Sequence, residues 1–297
     1  MAIDLDLIKG AYDLHIHTGP DVMTRKLDDL EMAERAIKAG MKGWAIKSHY
    51  IATSGRARLI NKLYPELNVV GTVTLNNAVG GLNYLAVEMA ARDGAKLVWM
   101  PTCDSTNEQE FFKKGSHKKL PFWAKLQMEL IDLGKISSSI SVLDENGGLR
   151  KEAIEVLDVI VQYNMILATG HLGKKESYAL VKKAKDMGIK KIILTHPDFP
   201  SQDYTKEEQK EFAEMGAYME HCFTTPATGK TTWEAAIEQI RHVGPEKVVL
   251  STDLGQPANV FPDEGLLQFA QRLTENGFTK EEVMQMTVTN NTQLVEE

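Results

Sequence analysis

Cysteine is scarce: Cys103 and Cys222 are the two in 297 residues, far apart and outside any Cys-x-x-Cys pattern. That scarcity excludes a disulfide framework and fits a reduced compartment, each cysteine being expected as a small buried hydrophobe. Basic charge is not in excess either, since 34 Lys and Arg against 41 Asp and Glu leave a net charge of −7. Without a basic face, no binding to nucleic acid or to a membrane surface is expected. No apolar run approaches the ~18 residues of a membrane span. The opening MAIDLDLIKG has neither the charged nor the continuous apolar region of a signal peptide, so a cytoplasmic protein is expected. A glycine-rich phosphate loop is missing, which leaves NAD and ATP without a seat. Linkers and low-complexity tracts are absent too, and residues 1–297 read as one domain.

What is present is the composition of a globular chain, 43% hydrophobic and 25% charged. Short β-branched runs alternate with longer amphipathic stretches. Strands are expected at YDLHIH from Tyr12, GWAIKSH from Gly43, NVVGTVTL from Asn68, KLVWM from Lys96, MILAT from Met165, KIILTH from Lys191, AYMEH from Ala217 and KVVLST from Lys247. Helices between them end at Gly40, near Gly94, at Gly188 and at Gly244, which are C-cap positions. Eight such units of roughly 25 to 30 residues predict an α/β fold, a closed (β/α)8 TIM barrel. One unit is longer: an insertion of about 102–146 follows strand four and leaves from the face where barrel enzymes keep their active sites. Its aromatic residues Phe111, Phe112, Phe122 and Trp123 are expected to wall a pocket, with a subunit interface as the alternative. The run KKGSHKK from Lys113 reads as solvated surface.

His15 and His17, two apart on the first strand, point to one side. His171 follows strand five, His196 ends strand six and Asp253 follows strand eight. In a closed barrel these strand ends share one mouth, and imidazoles converging with a carboxylate suit zinc or another first-row metal.

The motifs DLHIHTGPDV, TGHLG, THPD and STDLG, in that order on those strands, resemble the amidohydrolase superfamily of metal-dependent hydrolases. The closing TKEEVMQMTVTNNTQLV is similar to that superfamily's last helix. The resemblance implies a divalent metal on His15, His17, His171, His196 and Asp253. Relatives often bridge two metals with a carbamylated Lys or a Glu at the end of strand four, where this chain has MPTCDS. Cys103, Asp104 or Glu220 could substitute, but none is of the expected type in the expected place. One ion is therefore expected over two.

Lys47 and His49 on strand two could bind a substrate anion, or be an outward Lys and a rim His. Arg25 could pair with a substrate carboxylate or phosphate, or form a surface salt bridge. His117 and His242 are expected to be exposed, and at most one of Glu220 and His221 can face inward. A metal lowers the pKa of bound water toward ~7; Asp253 would then move the proton, while His196, if not a ligand, would polarise the carbonyl. The expected reaction is hydrolysis of an amide, lactone or cyclic C–N bond of a small-molecule substrate. Phosphoester hydrolysis, decarboxylation and a non-catalytic metal-binding barrel are the alternatives, and homo-oligomerisation is left open.

Overall fold

The computed structural model describes residues 4–115, 123–135 and 138–297. All eight expected runs carry strands: β1 (Tyr12–Ile16), β2 (Gly43–Ile46), β3 (Gly71–Thr74), β4 (Ala95–Trp99), β5 (Ile166–Ala168), β6 (Ile192–Thr195), β7 (Tyr218–Cys222) and β8 (Val248–Ser251). β3 to β8 pair in parallel in chain order, and β1 pairs in parallel with β2. Backbone bonds join the two sheets at both seams. Val70 N–H donates to Trp44 O at 2.8 Å and Ile46 N–H to Val70 O at 3.0 Å; across the other seam Asp253 N–H donates to His15 O and His17 N–H to Leu254 O, both at 2.8 Å. The result is the (β/α)8 barrel that the repeat predicts.

The helices are α1 (Asp29–Ala39), α2 (Ser54–Leu63), α3 (Tyr84–Arg92), α4 (Thr106–Lys113), α5 (Ala124–Asp132), α6 (Lys151–Gln162), α7 (Lys174–Asp186), α8 (Lys206–Glu214), α9 (Thr224–Ala227), α10 (Trp233–Val243), α11 (Pro262–Glu275), α12 (Lys280–Met284) and α13 (Asn290–Glu296). Their ends follow local chemistry. Asp28 and Glu31 cap α1 reciprocally, each side chain accepting from the other's backbone N–H at 2.8 Å, and Gly40 at φ +72° closes it.

Strand alternation sorts the core. Val98, Leu167, Leu194, Met219 and Leu250 pack outward against the helices, whereas Leu97, Trp99, Ile166, Ala168, Ile193 and Val249 fill the barrel. Leu294 and Val295 of α13 join that interior cluster, and Tyr12 Oη donates to Glu296 at 2.6 Å, so α13 plugs the amino-terminal end of the strands.

β1 breaks the alternation. Asp13 pairs with Trp44 but Ile16 with Ile46, so β1 carries one extra residue, a bulge. Tyr12 and Leu14 belong to the interior cluster, whereas Ile16 packs outward. The extra residue shifts the phase and allows both Leu14 and His15 to face the barrel interior.

Candidate metal centre

His15 is fully enclosed and engaged on both nitrogens. Nδ1 lies 3.2 Å from Glu220 Oε2 on β7, and Nε2 lies 3.2 Å from Asp253 Oδ1 and 2.7 Å from Lys47 Nζ. His17 Nε2 reaches the same Asp253 oxygen at 3.1 Å, and the second Asp253 oxygen accepts from Thr224 Oγ1, also at 3.1 Å. Donor atoms of His15, His17 and Asp253 thus lie within 4.8 Å of one another, as do those of His15, Glu220 and Cys222. Asp253 and His196 both hold positive φ, +52° and +24°. Strand ends turned into that sparsely populated backbone region aim their side chains into the mouth.

The electrostatics follow from enclosure and neighbours. Burial and the Arg25 guanidinium push His17 down to about 3, and burial keeps His49, His171 and His196 well below the usual imidazole range. Burial and Lys47 oppose charge on His15, but Glu220 and Asp253 outweigh them and raise it. Despite burial, His15 and His17 hold Asp253 well below the carboxylate range, and His15 and Lys47 lower Glu220. Burial lowers Lys47, whose ammonium also lies 4.7 Å over the Trp99 ring.

This donor set fits a metal. Ligation requires neutral imidazoles and an ionised carboxylate, the states in which His17 and Asp253 are held. Glu220 fixes the ring of His15 from its far nitrogen, as outer partners of ligating histidines do. His196 Nδ1 is buried with no hydrogen-bond partner among the described residues. Lys47 Nζ lies 2.7 Å from His15 Nε2, the nitrogen through which His15 would hold a metal.

His171 and His196 reach the same mouth without joining the trio of donors. Their rings lie 4.9 Å apart, with His196 5.9 Å from His15. They rise from β5 and β6, across the barrel from the β1–β8 seam. Glu108 of α4, which sequence reasoning missed, places Oε2 3.3 Å from His171 Nδ1 and accepts from Ser201 Oγ. Lys47 is 1% exposed and turned inward, so the outward alternative fails: Ala45, of the same parity on β2, also faces the interior. His49 Nδ1 lies 2.9 Å from Thr102 Oγ1, and its ring is 5.0 Å from that of His17. Arg25 binds Asp21 at 2.6 Å and approaches His17 Nδ1 at 3.3 Å, a buried ion pair rather than a surface one.

Neither expected substitute from the end of β4 comes to the centre. Cys103 packs with Trp123 and Ala124, while Asp104 accepts from Asn77 N–H at 2.8 Å and from Gln127. Burial raises both thiols; Cys103 is the buried hydrophobe expected, whereas Cys222 also places its Sγ 3.7 Å from His15 Nδ1. Glu220 faces inward, and His221 turns away, its Nε2 3.2 Å from Gln209 Oε1. His242 is exposed as expected, and His117 lies outside the described residues.

The insertion supplies a wall. The Trp123 ring sits 6.1 Å from His49 and 6.2 Å from His171, with Phe112 packed on it at 5.2 Å. Phe111 lies 6.3 Å from Phe112, Lys113 and Lys114 are exposed, and Phe122 lies outside the described residues.

Residues 10–220 match the model of a family described as a family of unknown function, DUF6282. The chain belongs to it. No curated protein matches the sequence. Among solved structures, this DUF6282 member is similar to an amidohydrolase from Pseudomonas aeruginosa at 12% identity and TM-score 0.59, covering 98% of this chain and 97% of that one. It is similar to a dipeptidase described as a metallopeptidase at 12% identity and TM-score 0.62, covering 97% and 98%. An organophosphorus hydrolase from Deinococcus radiodurans aligns at 13% identity and TM-score 0.57, over 96% and 92%. At such identities the likeness speaks to the fold alone, and it bears out the barrel. No helix among the described residues is long and apolar enough to cross a membrane.

Proposed function

We propose that the protein is a metal-dependent hydrolase acting on a carbonyl-type centre of a small molecule: an amide, a lactone or a cyclic C–N bond. The observation carrying this reading is the approach of His15, His17 and Asp253 within 4.8 Å at the mouth of a barrel shared with metal-dependent hydrolases. His15, His17 and Asp253 would hold one divalent ion, zinc by the chemistry of its donors, with His171 completing the set. A metal there supplies a water of lowered pKa.

The chain's own residues do the rest. Asp253 is kept ionised, so it can take a proton from the water and return it to the leaving group. His196, kept neutral, can donate an N–H to the oxygen of the scissile carbonyl. Trp123 and Phe112 close the mouth on the insertion side and exclude water from it.

The test joins metal analysis of the purified protein to a turnover screen of lactones, cyclic amides and phosphoesters. About one equivalent of a first-row metal with release of acid and amine or alcohol supports the reading. Release of phosphate or carbon dioxide instead, or protein without metal, overturns it.

A further inference from the structure

Lys230, which the sequence did not single out, lies at the same mouth. The turn that carries it is fixed to the centre: Thr224, the first residue of α9, donates through Oγ1 to Asp253, Thr228 Oγ1 donates to Thr224 O at 2.6 Å, and Lys230 N–H donates to Thr225 O at 3.0 Å. Gly229, at φ +73°, makes the tight bend. Lys230 Nζ lies 4.4 Å over the Phe199 ring, whose centroid is 4.7 Å from His196 and 5.9 Å from His171. The acidic side chains whose field reaches it include Asp253, Glu108 and Asp198. Among the described residues none accepts a hydrogen bond from its Nζ or pairs with it within 4.0 Å. Arg25 and Lys47, the cations to which the sequence points, are engaged by Asp21 and His15.

We propose that Lys230 is the substrate-anion site, and that the substrate is a small molecule bearing one carboxylate a few bonds from its scissile carbonyl. The scissile half of that statement rests on the hydrolase reading, whereas the carboxylate half stands on the geometry of Lys230. A single ammonium balances one negative charge. A phosphate monoester, with nearly two, would keep an unbalanced charge facing Asp253 and Glu108. The Phe199 face holds the ammonium by cation–π attraction without using its N–H donors, so they remain directed toward a ligand.

Calorimetry on the protein as purified, with propionate, propionamide and inorganic phosphate as probes, tests the carboxylate half without requiring turnover. Propionate should bind at least about tenfold tighter than propionamide, and Lys230→Ala should erase that margin, while Lys230→Arg keeps it within about threefold. The proposal is overturned by equal propionate affinity in the parent and Lys230→Ala, or by phosphate binding more tightly than propionate. In a matched pair of hydrolysable amides, one with a carboxylate and one with its methyl ester, Lys230→Ala should raise KM for the first alone. Carboxylate binding with no turnover of any probe would sink the hydrolase reading and leave the anion site standing; turnover indifferent to Lys230 would do the reverse.

Discussion

The backbone N–H of Asp253 donates to the carbonyl oxygen of His15 at 2.8 Å, and the Asp253 side chain reaches Nε2 of the same histidine at 3.2 Å. The bond that closes the barrel and the contact that builds the centre therefore join one pair of residues. Opening the β1–β8 seam would disperse the donors, and gathering the donors holds the seam.

Asp253→Asn isolates the proton-carrying role. Asn tolerates positive φ as Asp does, so the backbone at +52° should persist, and its carbonyl oxygen can still coordinate. Turnover should fall by about 100-fold or more while most of the bound metal remains. Metal analysis beside steady-state kinetics measures both. Turnover within about tenfold of the parent would remove Asp253 from proton transfer.

Stability should fall on acidification from about pH 7 to pH 4. His17, His49, His171 and His196 are lowered in the folded state, so between those limits the unfolded chain binds protons that the folded chain refuses. Lowered Glu220 and Asp253 act in the same direction toward the acid end. Two groups oppose them. Burial raises Asp13 to about 7, and His15 is raised by its carboxylates, so both favour the folded state at low pH. Four imidazoles against these two leave stability rising with pH. Denaturant midpoints across this range check the slope, and a flat or inverted profile would contradict the burial of neutral histidines.

Asn291 ties the plug helix to the seam. Its Nδ2 donates to Tyr12 O at 2.6 Å and lies 3.3 Å from Leu250 O, one carbonyl on each closing strand. Asn291→Ala should cost about 1–3 kcal/mol by leaving buried acceptors unpaired. Asn291→Asp should cost more, since it turns a carboxylate toward the same carbonyls. Unfolding free energies in urea rank the two.

Trp123→Ala should raise KM several-fold with the metal retained, because the ring stands against His49 and His171. Gel filtration run beside the kinetics separates this from assembly: a shift to monomer with unchanged KM would assign the ring to an interface.

The eight strands were legible because parallel barrel strands are short apolar runs repeated at one unit's spacing, and the eight site positions drawn from strand ends and the first loop all reach the mouth region. Glu108 and Lys230 were not legible. Each reaches the centre from a helix or turn whose path over the mouth depends on tertiary packing, so no local period marks it. The inward turn of Lys47 could have been read from Ala45, two residues earlier on the same strand. The β1 bulge had no signature, since YDLHIH alternates as an ordinary strand does.

That bulge divides β1 into two reading frames. Below it, Tyr12 and Leu14 speak to the plug; above it, His15 and His17 speak to the mouth. Straightening the bulge into regular alternation, with no residue removed, would merge the frames. A strand that kept its lower contacts would then present His15 and His17 to the helix layer and Ile16 to the mouth, exchanging a polar centre for an oily one with every side chain still on the chain.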